Sequence, residues 1–213
     1  MMGYICGCRF NQAPTDGYEA YVGRKTTFEG INASWLKQLL ALGRSTRWDW
    51  RSRATKYVMF ELVEPWAVGS KTASQLSEKE RWMQRTIPQL REMHPDKEIY
   101  IMNPEFVSWA YELYLTFQTN FRRGGMGKFS GEKPMSGLFA ILFALQICDT
   151  VDIYGFEPYK DGLTNQKYHY FDDAKPRPGS HSFDLAHYIY QVNGKFNPPA
   201  FLFWPDFLLH KCS

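Results

Sequence analysis

A chain of 213 residues with a formal net charge of +3 is the size of one α/β domain with a substantial core, and too weakly basic to argue for nucleic acid as a partner. No run reaches the roughly 18 apolar residues that span a bilayer. The four cysteines, Cys6, Cys8, Cys148 and Cys212, lack nearby histidines at ligand spacing and so make no metal site.

The opening MMGYICGC has no basic segment ahead of an apolar one and is not a recognisable signal peptide. Turn formers at Pro14, Asp16, Gly17 and Gly23 make residues 9–27 an ordered loop joining two strands. Asn32-Ala33-Ser34 is a glycosylation sequon, relevant only in a secretory compartment. Residues 32–44 carry Trp35, Leu36, Leu39, Leu40 and Leu42 at helical spacing, ending at Gly43. Residues 57–63 alternate as a strand. Residues 71–93 are rich in charged helix formers, with a break or kink at Pro88 and a stop at His94-Pro95. A short strand over 99–102 then turns at Asn103-Pro104 into a helix over 105–120.

The glycine-rich stretch 121–133 is not a phosphate loop. Gly127-Lys128 would need a glycine where Arg122 stands, and Phe129 replaces the magnesium-binding Ser/Thr; a mobile loop is the expectation. Next comes KPMSGLFAILFALQICDTVDIYGFEPY, the most informative stretch of the chain. Residues 138–148 hold no Gly or Pro and are apolar on nearly every face, which predicts a helix buried on most sides. Ser136 can cap it and Gly137 can admit a ligand close to the backbone, so its first turn suits a phosphate; the same spacing also suits an ordinary capped core helix. Residues 151–156 read as a central strand. The long polar segment 157–180 contains Tyr168, His169 and Asp172, residues 180–190 form a turn and an amphipathic helix, and 197–204 read as a last strand. Alternating strands and helices predict an α/β fold, a single Rossmann-like domain whose mostly parallel twisted sheet has helices on both faces. The seven Trp and thirteen Tyr accord with a carbohydrate or nucleotide cleft.

Several of these stretches resemble the motifs of the eukaryotic and viral sialyltransferases, glycosyltransferase family 29. Pro134 to Gly137, the apolar helix, Ile147-Cys148-Asp149 and Val151 to Phe156 resemble the small sialylmotif. Arg9 to Thr27, RFNQAPTDGYEAYVGRKTT, resembles the second half of the large sialylmotif, with Tyr21 where Asp is usual. Ile101 to Phe106 resembles the Asn-Pro-x-Phe segment between them. Tyr168 to Asp172 resembles the third motif. His181 fits the very small motif, His followed by Glu, but the glutamate position is Ala186. His187 is the weaker candidate and reads as a packed aromatic.

The resemblance implies a GT-A-like variant fold and transfer of sialic acid from CMP-sialic acid to a glycan hydroxyl, with inversion. It also implies metal independence, which the absence of an Asp-x-Asp triplet accompanies, so no cofactor is expected beyond the donor substrate. His181 would be the general base; Asn11, Met135, Ser136, Gly137, Tyr168 and His169 would bind the donor nucleotide and phosphate, Met135 through its backbone. Residues 1–213 would form one catalytic domain lacking the first half of the large motif. Its missing Cys pairs in the family with the counterpart of Cys148, and no pairing is assigned here. The implied location is the Golgi lumen, with membrane attachment only through an N-terminal anchor that is missing. A CMP- or glycan-binding homologue without turnover, and an unrelated α/β interaction domain, stay open as alternatives.

Overall fold

Four short segments rich in β-branched and aromatic residues pair side by side in the computed structural model, which describes residues 6–41, 51–60, 78–127, 129, 131, 133–156, 167–175 and 181–195. The chain divides into two compact units, Met1–Ser108 and Trp109–Ser213.

The first unit is built on a parallel sheet in the order β1 (Cys8–Phe10), β2 (Phe28–Ile31), β3 (Lys56–Met59), β4 (Glu98–Ile101). Parallel neighbours need crossovers, and the two helices expected between later strands are present as α2 (Ala33–Ala41) and α3 (Glu78–Met93), while the loop expected over 9–27 also holds a single helical turn, α1 (Glu19–Val22). The α/β class with a mostly parallel, Rossmann-like sheet is therefore as the sequence led us to expect. The register places Ile31 beside Met59 and Tyr57 beside Ile99. These four side chains share one face, where they pack with Trp35, Leu36 and Leu39 of α2 and Ile87 and Leu90 of α3 in one core cluster. The alternate residues Gly30, Val58 and Phe60 are buried as well, as in a sheet covered on both sides. A Cβ on Gly30 would meet the rings of Phe10 and Phe60, each at 3.1 Å, so the glycine makes room for two aromatics.

Helix boundaries follow local chemistry. Asn32 caps α2 by accepting from the Trp35 N–H at 2.9 Å, which gives the sequon asparagine a structural task. Pro88 neither ends nor divides α3, which runs on to Met93. Asn103 accepts from the Glu105 N–H at 2.8 Å and Pro104 takes the first helical position of α4 (Pro104–Arg123).

In the second unit α5 (Ser136–Ile147) buries Gly137, Leu138, Phe139, Ile141, Leu142, Ala144 and Ile147. Burial all round was the expectation from its unbroken apolar run. After it, residues 151–156 form no strand, contrary to expectation. Asp152, Ile153 and Tyr154 are exposed, Gly155 turns the backbone with φ +75, and the segment lacks a partner ladder among the described residues. Its last ring, Phe156, folds back against α5 and lies edge-on to Tyr190 at 5.4 Å. The final described element is α6 (Phe183–Lys195), capped by Ser182, whose hydroxyl accepts from the Leu185 N–H at 3.3 Å. The expected segments 42–44, 61–63, 71–77 and 197–204 lie outside the described residues.

Tyr190 carries a buried hydroxyl that makes no hydrogen bond among the described residues. An unsatisfied buried hydroxyl costs about 1–3 kcal/mol, so Tyr190→Phe is expected to raise the unfolding free energy by about 1 kcal/mol in urea denaturation at neutral pH. Burial, then the nearby Tyr114, pushes the Tyr190 phenol well above its ordinary value. The folded state thus holds this proton more tightly than the unfolded one. Its contribution is complete below about pH 10 and declines as pH rises above that, and the alkaline decline should shrink in the phenylalanine variant.

Candidate functional site

Ligands of parallel α/β sheets collect at the carboxyl ends of the strands, and in the first unit Asn11 stands there, just past β1. The chain turns sharply at this point: the Ala13 N–H bonds the Phe10 carbonyl at 3.1 Å, and Asn11 and Gln12 take left-handed φ values of 49 and 63. Such a turn needs support. The Glu29 carboxylate accepts from the Gln12 N–H at 2.8 Å and from Arg51 Nε at 2.8 Å. Arg51 also donates to the Ala13 carbonyl at 2.6 Å and reaches Thr15 Oγ1 at 3.5 Å. Both charged side chains of the Glu29–Arg51 pair are 1% exposed. Asn11 Oδ1 accepts from the Asn32 N–H at 3.1 Å, an orientation that turns its NH2 group elsewhere as a donor. The remainder of the loop is gathered by Arg9, whose guanidinium donates to the carbonyls of Val22, Gly23 and Lys25 and to the Thr26 hydroxyl.

In the second unit two of the predicted residues meet on Phe183, and a third, His169, stands beside one of them. The Phe183 ring is edge-on to Tyr168 at 5.7 Å and to His181 at 6.5 Å. His169 lies beside Tyr168 at 4.3 Å and stacks on Phe171 at 5.1 Å. Asp172 takes His169 Nδ1 with both oxygens, at 3.0 and 3.1 Å. A carboxylate accepts, so that contact places a hydrogen on Nδ1 and leaves Nε2 as the ring nitrogen not engaged by Asp172. Burial, and secondarily Asp172, raises the Tyr168 phenol above its ordinary value, which keeps it a hydroxyl donor across the neutral range.

His181 Nδ1 lies 2.8 Å from the Lys133 carbonyl, two residues before Met135. A carbonyl only accepts, so Nδ1 carries the hydrogen and the neutral ring has its lone pair on Nε2. The same bond ties His181 to the segment leading into α5. There Met135, in extended conformation, occupies the capping position, Ser136 is the first helical residue, and no side-chain bond caps the helix. Ser136 is thus not the cap the sequence suggested, since helical geometry starts one residue early. The first N–H groups of a helix have no partner within it, and the positive end of the dipole lies at this end. Gly137 serves packing: a Cβ there would lie 2.2 Å from the Phe156 ring, so its Cα face is filled by that ring and not open to a ligand. His187 is half-buried on α6 and accepts from Gln191 at 2.8 Å, one turn on, so it is partnered along its own helix.

Sequence reasoning missed Glu29, Arg51, Tyr114, Gln118 and the Lys133 carbonyl. Among the described residues no group of three or more His, Cys, Asp or Glu could hold a metal ion, and no helix is long and apolar enough to cross a membrane.

Residues 7–191 match the model of glycosyltransferase family 29 (sialyltransferase). The chain belongs to this family. Two relatives in the same family illustrate the distance. CMP-N-acetylneuraminate-beta-galactosamide-alpha-2,3-sialyltransferase 1 of Sus scrofa is 26% identical over 174 residues, 81% of this chain and 41% of that protein. Alpha-N-acetylgalactosaminide alpha-2,6-sialyltransferase 6 of Mus musculus is 28% identical over 180 residues, 80% of this chain and 48% of that protein. The chain therefore spans less than half the length of these relatives. A crystal structure of a mammalian sialyltransferase in complex with Gal-beta-1-3GalNAc-ortho-nitrophenol aligns at a TM-score of 0.48 and 20% identity, over 88% of this chain and 56% of that one. Membership of family 29 removes the unrelated interaction domain from consideration.

Proposed function

We propose that this family 29 chain transfers sialic acid from CMP-sialic acid to a glycan hydroxyl, with His181 as general base, inversion at the anomeric carbon, and no metal or other cofactor. The single observation that supports this best is the Nδ1 contact of His181 with the Lys133 carbonyl, because it leaves a basic Nε2 beside the entrance to α5. The acceptor hydroxyl gives its proton to Nε2 as its oxygen bonds the anomeric carbon. The bond from that carbon to the phosphate oxygen breaks, and CMP departs with the electron pair. The developing phosphate charge is met by the first-turn N–H groups of α5 at Ser136 and Gly137, with the backbone of Met135, the Ser136 hydroxyl, Tyr168 and His169. Asn11 offers its NH2 group to the nucleotide. Family membership further supports glycoprotein or glycolipid acceptors and residence in the Golgi lumen.

The test is incubation with CMP-sialic acid and a desialylated glycoprotein, with and without EDTA. The expected result is equal sialic acid transfer and CMP release in both. Ala186, buried where the family has glutamate, favours one rival, a binder without turnover; CMP binding with no transfer would establish it. Asn11→Ala is expected to weaken CMP binding by about threefold to tenfold, the worth of one hydrogen bond, in calorimetric titration. Unchanged affinity would remove Asn11 from the nucleotide site.

A further inference from the structure

His181 precedes the cap of α6, and the side chain at 186 that could brace it is a buried methyl group. The ring is braced instead by a backbone carbonyl, and what matters is how that carbonyl is held. Phe129 and Gly131 precede Lys133 closely in the chain, and their carbonyls are fastened by a stripe of side chains on α4. Gln118 Nε2 donates to the carbonyls of Phe129 and Gly131 at 3.1 and 3.0 Å. The Tyr114 hydroxyl donates to the Gly131 carbonyl at 2.9 Å, and Arg122 donates to that of Phe129. Residues 114, 118 and 122 are spaced by four, so they share one helix face.

Gly131 is the point where this stretch meets the histidine. It has φ +96, and a Cβ on it would lie 2.6 Å from the His181 carbonyl carbon and 2.9 Å from the Ser182 nitrogen. Backbone thus packs directly on backbone. Tyr114 is 1% exposed, and burial raises its phenol above the ordinary value, with the nearby Ser182 backbone opposing part of that rise.

We propose that Tyr114 and Gln118 are positioning residues for His181: by fixing Gly131 they hold the Lys133 carbonyl against Nδ1 and keep the lone pair on Nε2. This deepens the general-base reading and rests on it. The chain would meet the absence of a glutamate at 186 with a carbonyl held from another helix.

The test uses the full chain, 15N-labelled at histidine, with Tyr114→Phe as the mild variant and Gly131→Ala as the second. Long-range nitrogen–proton correlations report the His181 tautomer without turnover. The wild type should show Nδ1–H alone. Both variants should show mixed tautomers, and kcat should fall about 10-fold or more with the KM for CMP-sialic acid within about twofold, as expected for a small misplacement of a reacting group. An Nε2–H tautomer in the wild type, or a variant in which either the tautomer or kcat does not move, overturns the proposal. Failure of the general-base reading shows separately, as full turnover by His181→Ala.

Discussion

His181→Ala is expected to lower kcat for sialyl transfer by about 10²- to 10⁴-fold, the usual contribution of a positioned general base, while CMP affinity changes little. The division follows from where the ring is attached. Nδ1 is engaged with the Lys133 carbonyl, so Nε2 is the ring nitrogen left to accept a proton, and the charge that CMP brings is assigned to the α5 terminus and His169. Removing the imidazole therefore takes away the proton acceptor and leaves the anion site standing. Initial rates at saturating donor, together with a calorimetric CMP titration of the same variant, separate the two. Equal loss of binding and turnover would mean that His181 holds the donor; unaltered turnover would mean that it does neither.

Arg51→Ala is expected to destabilise the chain by about 3–5 kcal/mol, because it leaves the Glu29 carboxylate buried without its counter-charge. For a protein of this size that corresponds to a fall of roughly 6–20 °C in melting temperature. Glu29 would keep only its bond from the Gln12 N–H among those described above, and the Ala13 carbonyl would lose its donor. The left-handed turn at Asn11 and Gln12 should loosen with it, so CMP affinity should also fall. The double variant Glu29→Gln with Arg51→Met should recover most of the stability, since replacing a buried pair as a whole is often nearly neutral. Thermal melts of the three proteins decide the matter. A single variant that melts with the wild type would show that the pair is inessential.

What the sequence revealed and what it hid divide along physical lines. The α5 helix was legible because eleven unbroken residues from Leu138 to Cys148 leave no polar face, and the sheet because short strands alternate with helical stretches. Asn103-Pro104 read as a turn into a helix and is one, since a capping side chain and a fixed φ are local properties. Residues 151–156 misled because aromatic and β-branched content describes a strand's composition and not its partners; with Asp152 exposed and Gly155 turning, no ladder forms there among the described residues. Ser136 misled by a single residue, the usual margin for a helix end. The buried pair of Glu29 and Arg51 is separated by 22 positions, and no local pattern joins them. The contact that orients His181 was beyond reach for a different reason: its partner is a main-chain carbonyl, which every residue has. Ala186 drew attention as a loss, and only the packing of Gly131 on His181 indicated where compensating support comes from.

The most direct test of the account is a titration of histidine-labelled protein with CMP, followed through the imidazole signals of His169 and His181. Saturable shifts of His169, with smaller ones at His181, and a weaker CMP affinity read from the His181 signal in His169→Ala, are the predicted result. CMP that fails to bind, or that binds while both imidazole signals stay in place, would contradict the assignment of this constellation as the donor site.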